Sequence, residues 1–446
     1  MHRRDMDSAR LLDDFDSARR GEALQALARQ VRDGVPTLPP EGTDVNLHLH
    51  SFFSFNAEGC SPSRLAWRAR QRGLAAAGLI DFDVLDGLDE FLAAGRLLGL
   101  RTVVGIESRV FVPEFATRAI NSPGEPGIAY HLGLGFPRRP PPDEPTAPFL
   151  ARLKETAQRR NREMVARVNE TTAPVRLDMD RDVLPLTPAG NVTERHLCLA
   201  YAQQAARRFP DPADLARFWT ERLGQEAADL DFPDGPRLQA LIRAKTMKTG
   251  GVGYMKPDPA TFPDLAAMNR FSLAAGALPV MTWLDGSSPG EQAIDEWLDL
   301  CQATGVEAVN VIPARNIRPG VQDENLARLQ DLIARVRSRH LPLLTGTEMN
   351  APGQPFVDAF DSEELAPYRD DFLRGGHILF AHSLLQTAAG MGYASAWATA
   401  VFPDRADRNA WFARIGRGAA PALDPACLRL DPALSPTEAE QAILAP

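Results

Sequence analysis

The sequence predicts an α/β barrel carrying a helical insertion and helical extensions at both ends, and three observations predict it. Short apolar runs alternate with helix-length amphipathic stretches between Asp44 and Phe136. The alternation breaks at a proline cluster, Pro137 to Pro148, and gives way to a charged helical region reaching about Leu241. It then resumes between Leu278 and Ala381. Strands alternating with helices of this length imply βαβ units and a parallel sheet.

Taken in order, residues 1–40 read as an amphipathic helical extension, with Leu11, Leu12, Phe15, Leu24, Leu27 and Val31 at helical spacing, followed by a linker whose Pro36, Pro39 and Pro40 cannot continue a helix. His2 falls near a frayed terminus. The first part of the barrel, 41–140, is expected to hold strands at Val45–Leu49, Ala75–Ile80, Thr102–Ile106 and Ile128–Phe136, with helices at Ser61–Arg72 and Asp86–Leu98 between them. A helical insertion follows over 141–265. The second part, 266–386, supplies strands at Leu278–Leu284, Ala308–Ile312, Leu341–Thr345 and Ile378–Ala381, with helices at Pro289–Thr304 and Asp323–Arg337. A helical tail, 387–446, is anchored by Trp397, Phe402, Trp411 and Phe412.

At 446 residues and 44% hydrophobic content, the chain can bury one large core. A formal net charge of -9 argues against a broad nucleic-acid interface, while a small anionic substrate stays compatible with it. Cys60, Cys198, Cys301 and Cys427 lie far apart with no CxxC pair, which suits a reducing cytoplasm. No stretch approaches the roughly 18 uncharged apolar residues of a membrane span, and the start lacks the apolar run of a signal peptide. The expectation is a cytoplasmic protein.

The strongest chemical signal is Asn46-Leu47-His48-Leu49-His50-Ser51, where two histidines sit two apart at the end of an apolar run. On a strand, residues i and i+2 face one side, so both imidazoles can meet one cation. Barrel enzymes keep their sites at the C-terminal ends of their strands. Three later runs also end in ligand-type residues: Val103-Val104-Gly105-Ile106 leads to Glu107, Gly127-Ile128-Ala129-Tyr130 to His131, and Leu343-Leu344-Thr345-Gly346-Thr347 to Glu348. The expected metal ligands are therefore His48, His50, Glu107, His131 and Glu348.

The chain resembles the PHP family, named for polymerase-associated and histidinol phosphatase domains. The resemblance rests on His48-Leu49-His50-Ser51 with Ser61-Pro62-Ser63-Arg64-Leu65, Gly78-Leu79-Ile80-Asp81-Phe82-Asp83, Val104-Gly105-Ile106-Glu107, His131-Leu132-Gly133-Leu134, Thr193-Glu194-Arg195-His196 and Gly346-Thr347-Glu348-Met349-Asn350. It is firm from Val45 to Phe136, thinner from Leu278 to Ser383 and absent from both tails. It implies a distorted (β/α)7 TIM-like barrel that hydrolyses phosphoesters with up to three metal ions. It also implies that Glu107 bridges to a second ion, and that Glu348 replaces the Asp of a GSDxH-like motif. The segment Pro279 to Trp283 lacks the histidine expected of the second site. Phe82, Asn350 and Asn56 or Ala57 stand where third-site ligands are common, so the resemblance implies one or two divalent ions, Zn, Mn or Fe, rather than three.

Asp81 is open to three roles, ligand, orienting acceptor for His48 or His50, or loop acid, with the orienting role favoured. His382, after the run Leu379-Phe380-Ala381, is open as a missing ligand, a general acid or a core residue; His377 and His340 read as structural. Arg195 and His196 in the insertion, with Lys248 and Lys256 in the Gly-rich segment Lys245 to Pro257, are the expected grip on a phosphoryl group. That segment matches neither a P-loop nor a dinucleotide fingerprint. The leading expectation is a metal-dependent phosphoesterase acting on a small phosphorylated metabolite through a metal-activated water. Competing readings are a metal-dependent amide hydrolase, and a degenerate PHP module with a structural metal and a binding role.

Overall fold

The computed structural model describes residues 9–35, 37–224, 230–256, 261–317 and 323–444; His2, Pro36 and Pro257 lie outside the described residues. Seven strands, β1 (Val45–Leu49), β2 (Ala76–Phe82), β3 (Arg101–Phe111), β4 (Ile128–Leu134), β5 (Leu278–Trp283), β6 (Ala308–Val311) and β7 (Leu343–Thr345), form one sheet in sequence order. The segment after β7 returns to β1: Glu348 N donates to His48 O at 2.8 Å, and His50 N donates to Glu348 O at 2.9 Å. That return nearly closes a distorted barrel. Gly346 permits it, because a Cβ there would collide with the His48 backbone.

The sheet is not uniformly parallel, as the alternation had suggested. β4 runs antiparallel to both β3 and β5, while the other pairs are parallel. The physical reason lies in the connection: residues 112–127 contain a single turn of 3-10 helix at Pro113–Phe115 and no α-helix, so the chain doubles back instead of crossing over. Elsewhere the strands are buried along nearly their whole length, as expected of a sheet covered on both faces.

Helix α1 (Ser17–Arg32) belongs to the N-terminal extension, and α2 (Pro62–Gln71) and α3 (Leu88–Leu98) join the first three strands. α2 starts where Ser61 accepts from Arg64 N with Pro62 in the first turn, and α3 stops at Gly99 in the left-handed region. The insertion contributes α4 (Ala147–Thr171), α5 (Glu194–Arg208), α6 (Pro212–Leu223) and α7 (Pro236–Ile242), and α8 (Leu265–Ala274) then packs into the barrel's own core. The insertion encloses an apolar cluster of its own, including Met164, Val168, Leu197, Tyr201 and Trp219. α9 (Ile294–Ala303) and α10 (Asp323–Ser338) cross between the later strands.

The run Ile378–Ala381, expected as a strand, lies inside α11 (Arg369–Ala389). α11 crosses the floor of the barrel, where the parallel strands begin. Gly375 packs on Leu343, Gly376 on Val45 and Ala76, Phe380 lies under the Arg101 guanidinium, and His382 meets Gly135. A helix buried on all sides loses its polar stripe, and its apolar run then looks like that of a core strand. The tail adds α12 (Ala396–Val401), α13 (Arg405–Gly418) and α14 (Pro436–Leu444), with Trp397, Phe402, Trp411 and Phe412 packed ring on ring. Among the described residues no helix is long and apolar enough to cross a membrane.

Candidate metal centre and its cavity

The mouth of the barrel opens under the insertion into a cavity of about 580 Å³. Behind Glu107, which lines its base, the end of β1 presents His48 and His50 on one side of the chain, both fully buried and their ring centres 5.1 Å apart. β3 brings up Glu107, whose Oε2 lies 2.9 Å from His48 Nε2 and 3.3 Å from His50 Nε2. These three buried residues offer ligand atoms within 4.8 Å of one another. Burial alone would raise the Glu107 carboxyl, but the two imidazoles that face it outweigh burial and hold the group below the usual carboxylate range.

The surrounding hydrogen bonds decide which nitrogens are free. Asp81 accepts from Ser51 N at 2.8 Å, Ser51 Oγ at 2.7 Å and Ser54 Oγ at 2.6 Å. With its proton committed to Asp81, the Ser54 hydroxyl turns a lone pair to His50 Nδ1, 3.2 Å away. Nδ1 must then carry the ring proton, and Nε2 faces Glu107 as a bare lone pair. Nε2 is buried without a hydrogen-bond partner. A lone pair set against a carboxylate is stabilised by a shared cation, so this donor set fits a divalent ion. Phe82 stacks on His50 at 4.2 Å and shields that side of the ring. His48 Nδ1 lies 3.3 Å from Asn310 Nδ2, and Asn310 Oδ1 is buried and unpartnered. A half-turn of the Asn310 amide would let Oδ1 accept from Nδ1–H and release His48 Nε2 for an ion.

Glu348 lines the same cavity, held by Gln354 Nε2 at 2.9 Å and Arg315 Nη2 at 3.3 Å. It and Met349 both adopt left-handed backbone, φ 65° and 58°, a conformation uncommon for side chains of this kind. Its carboxylate is not among the three donors that cluster most tightly.

His131 is not brought to this group. It lies within β4, opposite Ser108 and Met281, whereas Glu107 is opposite Leu132. Paired residues share a face and neighbours alternate, so His131 projects from the other side of the sheet. There it meets Asn269 Oδ1 of α8 at 2.7 Å, and burial holds it low, at about 4. His382 sits on the floor, where Tyr393 N donates to its Nδ1 at 3.0 Å and burial again holds it at about 4. It can neither complete the centre nor serve it as an acid, because it stands at the opposite end of the barrel. Asp81 does not line the cavity and reaches His50 only through Ser54.

Of the residues expected to grip phosphate, Arg195 and Lys248 line the cavity. Arg195 lies over the Phe55 ring at 5.6 Å, and Lys248 pairs with Glu194 at 2.7 Å. His196 instead caps its own helix: Thr193 N donates to its Nδ1 at 3.1 Å, and burial holds it at about 4. Lys256 is exposed and outside the cavity lining. The cavity also gathers Arg109, Arg160, Arg243 and Arg315, none of them singled out by sequence. Arg109 follows Glu107 by two residues on one strand and was legible as its neighbour on the same face; Arg160 sits in the run Arg159-Arg160-Asn161-Arg162, where nothing local distinguishes it.

No family model matches the chain. A stretch of 78 residues is 38% identical to an error-prone DNA polymerase of Cutibacterium acnes, covering 17% of this chain and only 7% of the polymerase. Among solved structures, an amidohydrolase from Chromobacterium violaceum, with bound sulfate and no metal, is similar at TM-score 0.49 and 19% identity, over 70% of this chain and 88% of that one. A candidate metal-dependent phosphoesterase from Bifidobacterium adolescentis is similar at TM-score 0.46 and 17% identity, over 75% and 98%. Likeness at this level assigns neither an activity nor a substrate.

Proposed function

We propose that this chain is a metal-dependent hydrolase of phosphoesters that acts on a small phosphorylated molecule. The observation carrying the reading is the convergence of His48 Nε2 and the unpartnered His50 Nε2 on Glu107 Oε2, whose residue lines the base of a cavity with more cations than carboxylates in its wall. His48, His50 and Glu107 would hold a first ion, Zn, Mn or Fe, with Glu348 as the nearby carboxylate for it or for a second. When bound, such an ion supplies Lewis-acid polarisation and brings the pKa of a water toward about 7. The rest falls to the chain itself. Asp81, through Ser54, fixes the His50 tautomer, and Phe82 keeps water from that ring. Arg195, Arg315 and Lys248 present N–H donors to phosphoryl oxygens. The motifs shared with the PHP family support the same reading.

Elemental analysis followed by a phosphatase panel with added Mn or Zn tests it. The expected result is bound metal, hydrolysis of at least one phosphoester, and loss of both in Glu107→Gln. Wild-type turnover by Glu107→Gln would overturn the assignment. A metal-free, inert protein would point instead to a binding module, and hydrolysis confined to amides would replace the bond under attack.

A further inference from the structure

Two residues beyond Glu107 on the same face of β3 stands Arg109, displaced by about 7 Å along the strand. It faces Tyr130 across the sheet, pairs with Glu125 at 2.8 Å and lies over the Phe262 ring at 4.8 Å. From α4 a second guanidinium, Arg160, approaches the same ring at 6.0 Å. Arg160 Nε is buried without a partner, and among the described residues Arg160 makes no hydrogen bond or ion pair. Burial, and then the charge of Arg109, lower its pKa to about 10. The nearby carboxylates are engaged elsewhere: Glu125 by Arg109, Glu194 by Arg243 at 2.8 Å and Lys248 at 2.7 Å, and Asp83 by Ser108 Oγ, which donates to it at 2.6 Å. Two cations thus converge beside one aromatic face at the cavity wall, and only Arg109 has a carboxylate paired to it. Cations brought together without enough counter-charge destabilise one another unless a ligand supplies it.

We propose that Arg109 and Arg160, beside Phe262, form a second anion subsite, so that the substrate carries a further anionic group, phosphate or carboxylate, in addition to the phosphoryl group at the metal centre. This rests on the reading of the cavity as a phosphoester site. Arg160 serves a ligand and not the fold, which predicts that removing its charge relieves repulsion on Arg109 and leaves the melting temperature unchanged or raised.

Calorimetric titration of the metal-loaded full chain with butylphosphonate, butane-1,4-diylbisphosphonate and 5-phosphonopentanoate tests it. The bisphosphonate is expected to bind at least about tenfold more tightly than butylphosphonate, since the second group adds charge-assisted hydrogen bonds. In Arg160→Gln that advantage should shrink to roughly threefold or less while butylphosphonate affinity stays within about threefold, and Arg160→Lys should recover part of it. An equal gain from 5-phosphonopentanoate would identify a carboxylate-accepting subsite, and a gain confined to the bisphosphonate a phosphate-selective one. Equal affinity of wild type for the mono- and bisphosphonate overturns the subsite, as does equal weakening of both in Arg160→Gln. Either result leaves the hydrolase reading standing. Failure of wild type to bind any of the three, or inorganic phosphate, removes that reading and the subsite with it.

Discussion

Four of the six buried histidines among the described residues divide between two environments. At the mouth, His48 and His50 face the carboxylate of Glu107, and a hydrogen-bond relay from His50 through the Ser54 hydroxyl to the accepting carboxylate of Asp81 sets the ring of His50. On the outer face and the floor, His131 and His382 meet only neutral partners, Asn269 and a backbone amide. All four are removed from solvent. Burial of an imidazole therefore carries no functional information by itself, and neither does an unpartnered ring nitrogen, since His131 Nδ1 and His382 Nε2 have one as His50 does; what separates the pairs is whether the protein supplies an opposing negative charge.

The largest expected effect breaks the mouth alone. Glu107→Gln keeps the shape and removes the charge, so metal content should fall from about one ion per chain to below a tenth, with turnover down on the order of 10³-fold. His131→Asn should retain full metal. Metal analysis of the two purified variants reads both outcomes, and equal loss in the two would erase the distinction. Smaller, but at the same end of the barrel, Asp81→Asn should weaken metal affinity by roughly 10- to 100-fold through the His50 ring, measured by competition with a chelating dye.

Sequence reached the mouth more fully than the floor. The i, i+2 spacing of His48 and His50 and the strand-end position of Glu107 are local features, and the structure places all three in one group. His131 failed because register sets the face: the hairpin that replaces a crossover left no strong local mark, and it pairs Leu132, not His131, with Glu107, which leaves His131 on the opposite side of the sheet. His382 failed because a helix buried on every side has the unbroken apolar run of a strand. The guanidinium groups of Arg109 and Arg160 are assembled by tertiary contact between β3 and the insertion, which no local pattern encodes.

The outer and floor histidines predict a stability effect with a definite sign. Their folded pKa values, about 4, lie below the ordinary 6.5, so between those limits the unfolded chain binds more protons than the folded one. Stability is complete above about pH 6.5 and should be lost as pH falls toward 4, by on the order of 1–3 kcal/mol for each histidine. Urea midpoints at pH 7 and pH 5 measure it, and His131→Asn should flatten the slope. A wild-type midpoint that stays constant over that range would contradict the assignment of buried, neutral imidazoles.

The smallest effect separates His196 from its neighbour Arg195. As a helix cap, His196→Ala should cost about 1 kcal/mol in chemical denaturation and leave turnover within about twofold. Arg195→Ala should raise KM with little change in stability. A loss of turnover in His196→Ala matching that of Arg195→Ala would move His196 into the site.

The central claim is that one divalent ion is shared by two imidazoles of β1 and one carboxylate of β3. An anomalous difference map from a crystal of the zinc-loaded protein tests it directly. The account predicts a peak about 2.0–2.3 Å from His48 Nε2, His50 Nε2 and a Glu107 carboxylate oxygen; a peak elsewhere in the chain with none between these three would contradict it.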